Sequence, residues 1–315
     1  MVIRRSDSGW PVTLCDVHRL LLDVSSMAYR AYFAMKDSVR APDGRSMGAV
    51  HGYLGMVTRL AADRKPDSIV HVYDHDWRPT ARTQLYAGYK ADRPDEPEDL
   101  TVQFLILRGV LEATGATQAH APDWEAEDAI GALCARGPAN DRFEIVSGDR
   151  DLLQLVHDPD VRLLYTLRGV TELREFDEAT VLETYGVPAS RYAEFAILRG
   201  DPSDGLPGVR GVGEKTARAL VQTYPDIDAM LVDAASARPA PGPMKGSPAL
   251  RARLLDAADY LDAMRRLVPI KSDASLEVWT GGRDDDVASE LAETNGLRGP
   301  VRRLREAIDG LPASG

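Results

Sequence analysis

The chain has 315 residues, 44% of them hydrophobic and 28% charged, enough apolar content to bury one large core or two unequal ones. It contains no run of about 18 apolar residues and so no candidate membrane-spanning helix. Its net charge of −11, from 38 basic and 49 acidic side chains, excludes a uniformly basic nucleic-acid binder but not one with clustered cations. Residues 1–11 carry Arg4 and Arg5, but the apolar stretch after them is broken by Asp16, His18 and Arg19, which is not a signal peptide. Cys15 and Cys134 stand far apart with no companions at metal-ligand spacing. They read as reduced thiols of a cytoplasmic protein.

Residues 19–24 (RLLLDV) read as a buried strand ending near Asp23, followed by a helix over 29–35. Apolar spacing predicts a helix over 48–62, then a strand over 68–73 (SIVHVY) that ends at Asp74. Helices are expected over 100–114 and 124–135. A strand over 143–147 (FEIVS) runs into Gly148 and Asp149, and another covers 161–165. Strands alternating with helices indicate an α/β fold with a mostly parallel sheet. From about 187 the pattern turns helical, with a Gly- and Pro-rich hinge at 202–213 and an exposed loop at 234–247. A short strand near 276–279 and a helix around 299–311 close the chain.

In such sheets ligands gather beyond the carboxyl ends of the strands, and Asp23, Asp74 and Asp149 each end an expected strand. The other acidic residues fall in short groups: Glu125-Ala-Glu127-Asp128, Asp149-Arg-Asp151 and Asp201-Pro-Ser-Asp204. Glu125 and Asp128 share a helix face at i, i+3, as do Asp201 and Asp204 if they open a helix. Asp149 and Asp151 can turn toward one cation where a strand enters a turn. Hard cations such as Mg²⁺ or Mn²⁺ take oxygen ligands. Two of them about 3.5–4 Å apart activate water and stabilise both oxygens of a phosphoryl transfer. Clustered carboxylates without a cation repel and raise each other's pKa. Any one group alone reads as a helix cap or a solvated face; their joint occurrence points to a metal centre.

Residues 206–220 (LPGVRGVGEKTARAL) place Gly208, Gly211 and Gly213 in a tight turn that enters a helix, with Lys215, Thr216 and Arg218 just inside it. Glycines allow close backbone approach, and N–H groups at a helix start face phosphates. The pattern predicts a helix-hairpin-helix element that grips the DNA backbone without reading bases, with a plain helix-start turn as the alternative. A dinucleotide fingerprint fails because no strand precedes it and Thr216 occupies the third glycine position. A Walker A loop fails because Glu214 precedes Lys215. Residues 77–93 interleave Arg78, Arg82, Lys90 and Arg93 with Tyr86 and Tyr89. These suit phosphates and unpaired bases, or simply a solvated surface helix.

Together these segments resemble the 5′-3′ exonuclease and flap endonuclease family, especially the nuclease domain at the N-terminus of bacterial DNA polymerase I. The similarity runs from about 12 to about 273. Its most specific pieces are 200–217 (GDPSDGLPGVRGVGEKTA) and 147–155 (SGDRDLLQL), with Tyr73-Asp74 and Tyr89-Lys90-Ala-Asp-Arg93 in the expected order. No polymerase region follows, so the chain reads as a stand-alone member. The resemblance implies a PIN-like α/β nuclease core over 12–186, its mostly parallel central sheet flanked by helices, with a helical arch near 77–100. It implies a helical helix-hairpin-helix (H3TH-type) subdomain over 187–275 and a C-terminal segment, 276–315, packing back on the core.

By the same resemblance, Asp23, Asp74, Glu125, Glu127, Asp128, Asp149, Asp151, Asp201 and Asp204 surround the metals. One metal would lie by Glu125, Asp128, Asp149 and Asp151, the second toward Asp201 and Asp204. Lys90 and Arg93, with Arg82, would contact the scissile phosphate. Tyr29, Arg30 and Tyr86 would lie along the DNA path. Gly208, Gly211 and Gly213 with Lys215, Thr216 and Arg218 would hold the duplex, with a potassium ion on backbone carbonyls. Two departures stand out: Glu127 occupies the third place of a usual Glu-Ala-Asp-Asp, and Gly205 follows the last Asp where Asn is usual.

The expected activity is a structure-selective DNA 5′-nuclease, both 5′ flap endonuclease and 5′-3′ exonuclease, using two divalent cations (Mn²⁺ or Mg²⁺) in replication and repair. The expected partner is DNA with 5′ ends or 5′ flaps. The expected setting is a monomer, cytoplasmic and nucleoid-associated on DNA, with no membrane role. A non-catalytic DNA-junction binder and a PIN-type ribonuclease are the rivals. A small-molecule phosphatase would leave the hairpin and the basic stretch without a purpose.

Overall fold

The computed structural model describes residues 17–35, 38–76, 78–238 and 241–312; the readings made for 1–11, Cys15 and Trp77 lie outside them. β1 (His18–Asp23) is buried along its whole length. Leu20 and Leu22 enter one core and Leu21 the other, as the two-residue strand period requires. α1 (Val24–Met35) follows without a loop, earlier than the apolar spacing predicts. The reason is local: Asp23 Oδ1 accepts the Ser26 N–H at 3.0 Å, so the strand-end carboxylate satisfies the start of the helix.

Next come α2 (Gly48–Arg64), β2 (Ser68–Tyr73), α3 (Thr80–Leu85) and α4 (Glu98–Ala113). The stretch expected to form an arch therefore comprises α3 and the start of α4. Beyond α3 it passes through turns over 87–93 and irregular chain over 94–97. β3 (Thr117–His120), α5 (Ala126–Arg136), β4 (Arg142–Ser147), β5 (Val161–Arg168) and β6 (Glu172–Phe176) complete the first half. The spacing does not predict β3 or β6. TQAH and ELREF lack an apolar run, and pairing with neighbours makes them strands.

The helices α6 (Glu178–Tyr185), α7 (Tyr192–Arg199), α8 (Glu214–Thr223), α9 (Ile227–Ala235), α10 (Pro248–Asp256) and α11 (Ala258–Leu267) follow. β7 (Glu277–Thr280), α12 (Asp285–Thr294) and α13 (Arg298–Asp309) end the described chain. Within the expected loop at 234–247, Met244 is nonetheless buried, carried on a single 3-10 turn, Gly242–Met244.

The strands form one sheet in the order β6-β5-β4-β1-β2-β3-β7. The inner pairings are parallel, and both edge strands run antiparallel. The chain places β2 and β3 on one side of β1 and then crosses to β4 on the other. A crevice opens at that reversal, beyond the carboxyl ends of β1 and β4, where open α/β sheets bind their ligands.

One face of the sheet packs with α1, α2, α4, α12 and α13, with Leu22 and Val146 beside Leu54, Leu107 and Leu304. The other face is continuous with the helical half, where Phe195, Leu220 and Leu261 join Leu21, Ile145 and Leu163 in one core. β7 pairs with β3 from Thr117↔Thr280 to His120↔Glu277, and α13 lies against α2. Among the described residues no helix is long and apolar enough to cross a membrane. Cys134 is a free thiol, its pKa pushed up to about 12 by burial.

Candidate metal centre and nucleic-acid interface

At the crevice the chain forms a cleft of about 590 Å³. Of the carboxylates expected around the metals, Asp23, Asp74, Glu125, Glu127, Asp149, Asp151, Asp201 and Asp204 all line it. Asp23 closes β1, where Ser147 Oγ donates to its Oδ2 at 2.5 Å. Burial, then Asp74, pushes its pKa up to about 7. Asp74 follows β2, and its Oδ1 accepts the Ala126 N–H at 2.7 Å, tying the strand end to the start of α5. Burial and the Glu125 charge raise it as well.

Asp149 and Asp151 occupy the turn after β4, the Asp151 N–H donating to Asp149 Oδ1 at 2.9 Å. Burial and Glu127 push Asp149 up to about 8, and burial with Asp149 raises Asp151 well above the usual carboxylate range. One oxygen each from Glu127, Asp149 and Asp151 lies within 4.8 Å of the others. These are hard oxygen donors whose burial and mutual repulsion a divalent cation would relieve, so the cluster is able to hold a metal. Asp201 caps the 3-10 turn Pro202–Asp204, accepting the Ser203 N–H at 2.9 Å. It reaches the rim together with Asp204 through one turn rather than a longer helix. Burial, with Lys90 opposing it, leaves Asp204 raised to about 6.

Arg82 and Asp128 do not line the cleft, although one oxygen each from Glu125, Glu127 and Asp128 also lies within 4.8 Å of the others. Arg82 is 2% exposed, and its guanidinium is engaged by Glu125, Glu127 and Asp128, with Asp128 Oδ1 at 2.9 Å and the Tyr89 hydroxyl at 3.1 Å. It neutralises the acidic cluster from behind and does not face the cleft. Asp128 is fully buried. Its Oδ1 also accepts the Lys271 N–H at 2.9 Å, and its Oδ2 accepts the Glu125 N–H at 3.3 Å. Spacing that places Glu and Asp on one helix face serves here as a capping box around the start of α5. Tyr86, expected on the DNA path, packs edge-on against Tyr260 with ring centroids 6.1 Å apart. Tyr89 is buried and donates its hydroxyl to Glu125 Oε2 at 2.6 Å.

Lys90 does face the cleft. Its Nζ pairs with Glu125 Oε1, and its backbone takes φ 51°, a left-handed conformation uncommon outside glycine. Burial pulls the Lys90 pKa down, but Glu125 and Asp204 outweigh it and hold the ammonium above its usual range. Burial likewise pushes Glu125 up, and Lys90 with Arg82 holds it down. Arg93 Nη2 lies 3.2 Å from Asp204 Oδ1. Arg30 Nη2 donates to the Gly148 carbonyl at 3.3 Å and lines the cleft beside Tyr29. Ser25, Ser26, Arg150 and Tyr165 also line it and escaped the sequence reading. For Arg150 the signal was there, since it sits between Asp149 and Asp151.

In the hairpin, Gly208 and Gly211 take φ 67° and 72°, where a side chain would be strained, and Gly213 is the N-cap of α8. Lys215 is exposed and Thr216 half-buried. Arg218 is held by Glu214 at 2.8 Å, which shares its charge locally. A cation the sequence reading did not place also stands here. A Cβ added at Gly211 would lie 2.6 Å from Arg253 Nη1.

Residues 18–186 match the 5′-3′ exonuclease N-terminal resolvase-like domain, and residues 187–282 match the 5′-3′ exonuclease C-terminal SAM fold. The chain is 41% identical over 304 residues to a 5′-3′ exonuclease of Streptomyces coelicolor, covering 90% of this chain and 98% of that one. It is 40% identical over 214 residues to DNA polymerase I of Mycobacterium bovis, covering 67% of this chain and 24% of that one. Its fold is similar to that of a bacteriophage T5 flap endonuclease solved as a pseudo-enzyme-product complex with DNA and metal ions. The TM-score is 0.61 at 16% identity, covering 93% of this chain and 99% of that one. With both halves matched in order and a 41% identical relative covered over 98% of its length, the chain belongs to the 5′-3′ exonuclease family.

Proposed function

We propose that this chain hydrolyses phosphodiester bonds at the 5′ ends of DNA, as a 5′ flap endonuclease and 5′-3′ exonuclease. The observation that carries the reading is the convergence of Glu127, Asp149 and Asp151 in the cleft that Lys90 and Arg93 also line. Glu125, Glu127, Asp149 and Asp151 would hold one divalent cation, Mn²⁺ or Mg²⁺, and Asp201 with Asp204 a second; Asp23 and Asp74 shape the charge around them. When bound, such cations lower the pKa of water toward about 7 and neutralise charge on a phosphate.

The chain's own residues bind and orient. Lys90 and Arg93 present positive charge to the phosphate in the cleft, Lys90 exchanging its bond to Glu125 for one to the substrate. Arg30 and Arg150, with Tyr29 and Tyr165 in the same lining, hold the strand. The start of α8, with Gly208, Gly211, Gly213, Lys215, Thr216 and the neighbouring Arg253, takes the duplex backbone, with a potassium ion on the turn's carbonyls. The setting that fits this chemistry is replication and repair in the cytoplasm, by a monomer that is nucleoid-associated on DNA. The relative's name as a 5′-3′ exonuclease and the DNA and metal ions of the T5 complex support the reading.

The test is cleavage of a 5′-labelled double-flap DNA in Mg²⁺ or Mn²⁺, beside EDTA and beside the same flap made of RNA. Short labelled products from the DNA flap that disappear in EDTA are expected. Bound but uncut DNA under both metals would mean a non-catalytic junction binder. Preferred cutting of the RNA flap would mean a ribonuclease.

A further inference from the structure

Gly205 ends the 3-10 turn Pro202–Asp204 with φ 72°. A Cβ placed there would lie 2.2 Å from the Gly88 carbonyl oxygen and 3.5 Å from the Lys90 nitrogen. No side chain fits that gap, so the two turns touch backbone to backbone. The approach lets the Lys90 N–H donate to the Asp204 carbonyl at 2.9 Å, and Arg93 reaches Asp204 Oδ1 at 3.2 Å.

The same segment has a second footing. Tyr86 packs on Tyr260 of α11, whose hydroxyl accepts the Gly208 N–H at 3.1 Å. The turn that presents Lys90 and Arg93 thus rests on the glycine hairpin and its helices as well as on the carboxylates. A left-handed lysine persists only where its surroundings hold it, and Asp204–Gly205 is one of the holds on Lys90.

We propose that Gly205 is a positioning residue: its contact with Gly88 sets Lys90 and Arg93 against the cleft, and a duplex seated on the hairpin tightens that contact. The proposal rests on the nuclease reading for its activity arm only. In Gly205→Ala the added carbon must push the turns roughly 1 Å apart, a displacement that costs on the order of 100-fold when it misplaces reacting groups. The expected result is that loss in kcat on the flap substrate. KM, duplex affinity measured in Ca²⁺, and Mn²⁺ affinity measured by electron paramagnetic resonance without DNA should each stay within about two-fold. Wild-type kcat in the variant, or a kcat loss matched by equal losses in duplex and Mn²⁺ affinity, overturns the proposal.

A measurement on the unmodified protein decides the matter if Gly205→Ala does not fold. In metal-free buffer, a blunt duplex should slow hydrogen exchange at the Lys90 amide several-fold. An unchanged Lys90 amide with the duplex bound, or failure of the duplex to bind, overturns the proposal. This arm needs no cleavage. A protein that cuts nothing would sink the nuclease reading, and exchange at the Lys90 amide would still support or refute the coupling.

Discussion

Arg82 sets the electrostatics of the cleft without entering it. Its guanidinium bridges the buried Glu125 and Asp128 and the half-buried Glu127 at one helix start, a task suited to a planar fork of donors. Removing one partner of a buried ion pair costs about 3–5 kcal/mol, because the charge left behind is stranded. Arg82→Gln should therefore lower the unfolding free energy in urea by about that much, and Arg82→Lys should recover only part of it. A stable Arg82→Gln protein that merely cleaves slowly would contradict this placement and return Arg82 to the phosphate. The same contact gives the unusual Glu127 a physical sense. Glu127 bonds Arg82 behind the cleft and still has an oxygen within reach of Asp149 and Asp151.

At the scale of elements, the hairpin divides its cations unequally. Lys215 stands exposed in the first turn of α8, whereas Arg218 is held by Glu214 and crowds Gly186. Each phosphate-bound cation contributes about one unit to the salt dependence of duplex binding. Lys215→Ala should weaken binding and make the log–log salt slope shallower by about one, while Arg218→Ala should change the slope less. Equal effects from the two substitutions, read by fluorescence anisotropy across a salt series, would refute the division.

β1, β2, β4 and helices such as α2, α4 and α5 were legible because apolar spacing reports directly on burial. β3 and β6 were not, since their strand character comes from partners distant in the chain. The 77–100 stretch holds α3 and the start of α4 with turns between them. Its Tyr86, Tyr89 and Arg82 turn inward to Tyr260 and the carboxylates, a choice set by tertiary neighbours and invisible to local pattern.

Across the whole molecule, an acidic chain gathers its carboxylates where one sheet reverses its order, and there the net charge of −11 has a use. That aspartates closing β1, β2 and β4 would meet was legible from their strand-end positions alone. Which of the α5 carboxylates would face the cleft was not. Glu125, Glu127 and Asp128 look alike in sequence, and Arg82 with the Lys271 backbone, both distant in the chain, draws Asp128 inward. Arg253 was missed for a similar reason, since a lone cation acquires meaning only from what the fold sets beside it.

The central claim is that Asp149 and Asp151 hold the metal at a nuclease centre. The most direct measurement is single-turnover cleavage of the 5′-labelled flap by the Asp149→Asn, Asp151→Asn double variant, with circular dichroism confirming its fold. A folded protein that still binds the DNA and cuts it more than about a hundred-fold more slowly is expected. Cleavage at the unmodified rate by that folded variant would contradict it.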